Sequence, residues 1–122
     1  KRQAQEQGMP LHCISSDLHR GNVDRYAVSL ARTMTKMRAL GMSLEDVVLR
    51  VTANPARAIE IDNYGFGSFT EGLSTTATIF RERETDDMSL EDAEGSVLNV
   101  SSYIEPIGTV VNGQFHTAKE PI

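Results

Sequence analysis

Cys13, Asp17 and His19 stand close together near the start of the chain, and their side chains are of types that can do chemistry. They lie in or just beyond Leu11-His12-Cys13-Ile14-Ser15-Ser16, a run of small and apolar residues that reads as a short strand. Asp17, His19 and Arg20 then arrive together ahead of a helix start. A carboxylate and an imidazole can take up and release protons, and a strand-to-loop-to-helix passage is where α/β enzymes keep their reactive groups. If residues 11–17 are extended, Cys13, Ser15 and Asp17 share one face while His12, Ile14 and Ser16 share the other. Asp17 is then last on its face, at the carboxyl end of the strand. Each of these residues also has a plainer reading. Asp17 can be a turn or helix-capping aspartate, and His19 beside Arg20 a solvated loop pair. Cys13 reads as a small buried apolar residue, because no base stands near it in the sequence to form a nucleophilic pair.

The elements that must position this passage are mostly helical at first. Residues 1–7 are helix formers stopped by Gly8 and Pro10, so the chain reads as beginning inside a helix, as a fragment of something longer does. After the strand, Asn22 can cap a helix in which Val23, Tyr26, Ala27, Leu30, Ala31, Met34 and Met37 recur at helical spacing, ended by Gly41. Met34, Met37 and Met42 are expected to fill core rather than form a soft-metal or promiscuous binding surface. A second helix opens at Ser43, whose hydroxyl can accept the Asp46 N–H, with Met42 placed to pack on Val47. Its buried stripe is Val47, Val48 and Val51. Pro55 disfavours a helical conformation at Asn54, so this helix must break near Thr52-Ala53-Asn54-Pro55, and Asn54 is expected to cap a third, short helix begun by Pro55.

From Asp62 to Gly72 glycines punctuate aromatic residues, which predicts turns and a short strand. Gly65-Phe66-Gly67 is a tight turn rather than a phosphate cradle, since no helix follows it. Residues 75–81 and 96–105 are rich in β-formers and read as strands, with the acidic stretch 82–95 between them as a solvated loop rather than a calcium site. Residues 107–111 and 114–117 flank Asn112-Gly113, a two-residue hairpin turn.

At 122 residues, 39% hydrophobic and 24% charged, the chain has the length and composition of one soluble domain. No apolar run approaches the roughly 20 residues of a membrane helix, and no secretory signal opens the chain, so the expected setting is cytoplasmic with no membrane partner. Its single cysteine can form no internal disulfide, and no Cys/His cluster has structural-zinc spacing. A net charge of −5 with scattered Lys and Arg offers no face for phosphate backbones, so nucleic acid is not expected as a partner.

In order, the motifs are Ile14-Ser15-Ser16-Asp17-Leu18-His19, then Val51-Thr52-Ala53-Asn54-Pro55-Ala56, then Ile107-Gly108-Thr109-Val110-Val111-Asn112-Gly113. Together they resemble the C-terminal third of a metal-dependent amidohydrolase, most closely the dihydroorotase-like amidohydrolase/deacetylase branch, over nearly the whole chain. The resemblance implies an α/β fold: residues 1–62 as the last strand and helices of a TIM (β/α)8 barrel, and residues 63–122 as C-terminal strands of a small β-sandwich domain. It implies a divalent metal, usually zinc, in the intact protein. It further implies that Asp17 binds this metal and shuttles a proton from the metal-activated water to the leaving nitrogen as an amide is cleaved, with His19 bordering the substrate. The family's His-x-His, bridging lysine and later histidines have no counterparts among these residues, and a barrel requires about 250 residues. The expectation is therefore an inactive fragment holding no tightly bound metal. Its parent would take a cyclic amide or N-acyl amide as its small-molecule substrate. Its partners would be the N-terminal part of the barrel and further copies in a homo-oligomer. The alternative is a non-catalytic α+β interaction module.

Overall fold

The computed structural model describes residues 12–15, 29–73, 76–91 and 94–118. Its helices are α1 (Leu30–Ala39), α2 (Leu44–Val51) and α3 (Ala53–Ala58), followed by one 3-10 turn at Asp62–Tyr64. Its strands are β1 (Ala77–Glu91), β2 (Val97–Val111) and β3 (Gln114–Thr117), which form an antiparallel sheet in the order β1-β2-β3.

Ser29 opens α1. It is extended at φ −155°, and its Oγ accepts the Arg32 N–H at 3.1 Å, satisfying one of the donors that a helix start leaves free. A helix running unbroken from Asn22 through Leu30 is thereby corrected, because Ser29 leaves the helical conformation in order to cap; Asn22 itself lies outside the described residues. Gly41, at φ +97°, ends the helix as expected. Ser43 Oγ accepts the Asp46 N–H at 3.2 Å, so the α2 cap is also as expected. Met34, Met37 and Met42 are buried with Ala31, Val47, Ile14 and Ile104 in one core, against which Val48, Val51 and Phe80 pack.

One polar group sits at the centre of this core. Thr35 is fully buried, and its Oγ1 donates to the Ala31 carbonyl at 2.9 Å while accepting the Ile104 N–H at 3.0 Å. β3 pairs only with Gly108–Val111, so among the described residues the earlier part of β2 has no strand on that side. At Ile104 a helix hydroxyl takes the place of a neighbouring strand.

Residues 82–91 of the acidic stretch are strand, not loop, and a turn follows at 94–95. β1 continues to Glu91 and pairs with β2 out to Glu91↔Val97, with register shifts between Ile79 and Phe80 and between Glu84 and Met88. Most of its side chains face solvent, and Glu82, which is half-buried, forms a two-pronged pair with Arg38 at 2.7 and 2.8 Å. Pro106 lies inside β2 at the first of these shifts, where a missing N–H is tolerated. Residues 62–73 hold turns and no strand, which corrects the short strand expected there. Gly65 and Gly67 both have positive φ, and a Cβ on Gly67 would meet the Thr52 carbonyl oxygen at 2.7 Å. The Gly-x-Gly is thus a tight turn pressed against the α2–α3 junction. The β2–β3 hairpin turns at Asn112 (φ 49°) and Gly113 (φ 79°), as read from the sequence.

Candidate functional site

Asp17 and His19, the two residues singled out for the site, lie outside the described residues, as does Arg20. The chain is described up to Ser15, two residues before Asp17. What holds His12–Ser15 in place is the corner between α2 and α3. The Ile14 N–H donates to the Arg50 carbonyl at 3.0 Å, and the Asn54 Nδ2 donates to the His12 carbonyl at 2.7 Å. Arg50 belongs to the last turn of α2, whose carbonyls lack partners within the helix, so one of them is open to receive Ile14. Ile14 itself is buried in the common core.

Two expectations change here. Residues 12–15 pair with no strand among the described residues, because their backbone partners are a helix end and a side chain; a strand requires a neighbour, and the described sheet lies elsewhere. Cys13 is exposed and free rather than buried.

Asn54 is the residue whose role sequence reasoning misjudged. It lies inside α3, not at its cap, and Thr52 accepts the Ala56 N–H at 3.1 Å. With its helix already started, the buried Asn54 amide turns to His12 instead. The available signal was its type: an amide beside Pro55, able to donate and accept at a helix corner.

Elsewhere two sets of charged groups pair with one another. The Arg38 guanidinium bonds the Met42 carbonyl and Glu82, and its hydrogen bond with Glu82 holds the Glu82 carboxyl below its usual range and raises Arg38 above its own. Across the sheet, Arg81 and Arg83 both reach Glu105, at 2.8 and 3.2 Å, and their hydrogen bonds hold its carboxyl low as well. A hollow of about 750 Å³ lies over the second β1 register shift, lined by Glu82, Glu84, Thr85, Asp86, Ser101 and Ser102. Among the described residues no group of three or more His, Cys, Asp or Glu converges to hold a metal ion, so these residues do not by themselves fit the metal that the resemblance implies. No described helix is long and apolar enough to cross a membrane.

The deacetylase of Brucella anthropi is 30% identical to this chain over 117 residues, which cover 96% of this chain and 28% of that protein. A deacetylase of Enterococcus faecalis is 29% identical over 114 residues, covering 93% of this chain and 30% of that protein. Among solved structures, an adenine deaminase superposes with a TM-score of 0.86 at 27% identity, over 96% of this chain and 31% of that one. A dihydroorotase superposes with a TM-score of 0.82, also at 27% identity, over 99% and 31%. No family model matches. An α/β unit held in common by a deacetylase, a deaminase and a dihydroorotase defines a hydrolase class. The chain is similar over nearly its whole length to members of the amidohydrolase superfamily and spans less than a third of the length of the relatives it matches.

Proposed function

We propose that this chain is the C-terminal part of a metal-dependent hydrolase of amide-type C–N bonds, with a cyclic amide or an N-acyl amide as substrate. The observation that carries this reading is the agreement, over nearly the whole chain, of sequence with deacetylases and of shape with a deaminase and a dihydroorotase. In the proposal Asp17 is the proton shuttle: an ionised carboxylate accepts the proton of the attacking water and returns it to the departing nitrogen. Asp17 would contribute one ligand to a divalent metal, usually zinc, whose other ligands come from outside the described residues. His19 borders the substrate. Residues 1–62 belong to the barrel and residues 63–122 to the small sandwich. By itself the chain is inactive, because its complement of ligands is incomplete.

Exposed apolar side chains support the idea that more protein packs here. Phe69 is 94% exposed, Ile59 69% and Tyr64 68%, too many large apolar groups in one short stretch for a surface that meets only water. We assign their cover to the preceding barrel, with further copies in a homo-oligomer. An exposed free thiol at Cys13 suits a cytoplasmic, reducing setting.

The test is Asp17→Asn in the longest polypeptide that carries these residues, assayed on cyclic and N-acyl amides with metal content measured in parallel. Loss of a positioned acid–base group lowers turnover by about 10²–10⁴-fold. Turnover within about threefold of the parent removes Asp17 from the mechanism, because asparagine replaces a capping aspartate almost without cost.

A further inference from the structure

We propose that Asn112–Gly113 is a site of spontaneous covalent modification, at which the turn of the β2–β3 hairpin converts through a cyclic imide to aspartate and β-linked isoaspartate, at a rate set by the opening of β3. The reaction needs an asparagine whose following backbone nitrogen is unhindered and free to attack the side-chain amide. Among the described asparagines the other three fail this requirement. Asn54 is buried, gives its amide to His12 and is followed by Pro55, which has no N–H. The Tyr64 N–H after Asn63 is held by the Ile61 carbonyl at 3.1 Å, and Val100 after Asn99 is buried inside β2, opposite Met88. At the hairpin, Asn112 and Gly113 are both exposed, the Gly113 N–H donates to no described backbone carbonyl, and a side chain on Gly113 would find nothing within 4 Å.

The Gly113 nitrogen attacks the Asn112 Cγ and loses its proton to water, while the Cγ–Nδ2 bond breaks and ammonia leaves. Water then opens the imide ring. Opening at Cγ gives aspartate; opening at the main-chain carbonyl carbon gives isoaspartate, whose backbone runs through the former side chain. Either way one amide and one water become one carboxylate and one ammonium ion. The β-linkage lengthens the backbone inside a two-residue turn, so it can no longer hold Val111 opposite Gln114. Ring closure requires the Asn112 backbone to swing away from φ 49°, and the paired turn therefore holds the reaction back. What keeps the turn paired is slight. All four residues of β3 are exposed, and short exposed segments open at little free-energy cost. Its main contact is Phe115, 54% exposed, whose ring lies over Gly108 where a Cβ would meet it at 2.5 Å.

The test is incubation of the 122-residue chain in mildly alkaline buffer, with peptide mapping by mass spectrometry and chromatographic separation of the two acidic products. Asn112 should convert ahead of Asn54, Asn63 and Asn99. In the isoaspartyl product, exchange at the Ala118 amide, bonded to the Ile107 carbonyl at 2.9 Å just beyond β3, should quicken. Phe115→Ala puts about half of a phenylalanine's burial at stake, so conversion at Asn112 should rise about five- to tenfold while Asn99 converts as in the parent. An Asn112 that converts no faster than the other described asparagines overturns the proposal, as does an unchanged rate in Phe115→Ala. So does full protection of Ala118 in the isoaspartyl product. Equal acceleration at Asn99 overturns it too, since the whole sheet has then opened rather than β3.

Discussion

Thr35→Val isolates the contact that joins the helices to the sheet. The substitution keeps size and β-branching but deletes the hydroxyl, and with it the acceptor of the Ile104 N–H at 3.0 Å. Thr35 is closed to water, with a relative exposure of 0%, and β3 stops short of Ile104, so among the described residues the threonine hydroxyl is the acceptor for that N–H. A buried donor left without a partner costs about 1–3 kcal/mol. An added methyl in the core returns somewhat less than 1 kcal/mol, leaving a net loss of up to about 2 kcal/mol. For a chain of this size that lowers Tm by up to roughly 10 °C. Thermal unfolding followed by circular dichroism gives the global figure, and amide exchange at Ile104 locates it. Thr35→Ser is the companion variant: it loses a buried methyl, costing about 0.5–1.5 kcal/mol, yet keeps Ile104 protected. A Thr35→Val chain that melts with the parent and protects Ile104 equally refutes the reasoning.

Glu82→Gln removes the charged half of the Arg38 pair and should cost up to about 1 kcal/mol, read from urea unfolding at neutral pH. Because Arg38 lowers the Glu82 pKa, the stability this pair contributes is complete above the ordinary carboxylate range and is lost as pH falls through the lowered value, so the variant should show a flatter decline in acid than the parent. Gly67→Ala should cost about 2 kcal/mol or more, since φ is +78° and the new Cβ meets the Thr52 backbone; a change in Tm below 2 °C contradicts that contact. Gly113→Val, in a turn with open space around it, should cost only the conformational penalty of about 1 kcal/mol, and an unchanged Tm argues against the two-residue turn. Light scattering of the 122-residue chain should show concentration-dependent self-association through its exposed apolar side chains, and a constant monomer mass at high concentration rules it out.

Local signals were legible wherever the physics was local. Ser43 before Leu44, Gly41 after a helical stripe and Asn112-Gly113 between β-formers each act over three or four residues, and each is found where it was read. The acidic stretch was misread because what makes it a strand is distant. Glu82 is neutralised by Arg38, 44 residues earlier, and two register shifts break the alternation that normally betrays a half-buried strand. Thr35 shows the same blindness from the other side. A threonine on a methionine-rich helix face carries no signal of its own until the strand end that needs its hydroxyl is known.

For the site the limit is different in kind. A reactive aspartate depends on groups brought to it from far along a chain, and the relatives of this chain are more than three times its length. Sequence motifs named Asp17 because order and spacing survive where long-range contacts are not visible. The structure contributes what motifs cannot: a second tether on the same passage, Asn54 to His12, that turns a helix corner into the support of a neighbouring segment. The Asn-Pro pair in Val51-Thr52-Ala53-Asn54-Pro55-Ala56 is thereby given a physical task. Pro55 helps set the corner, and the corner presents an amide and an orphan carbonyl, the latter from Arg50, to one short stretch of backbone. A cap would need only the amide. Fixing the direction of residues 12–14 needs both bonds, and the corner some 40 residues later in sequence supplies both.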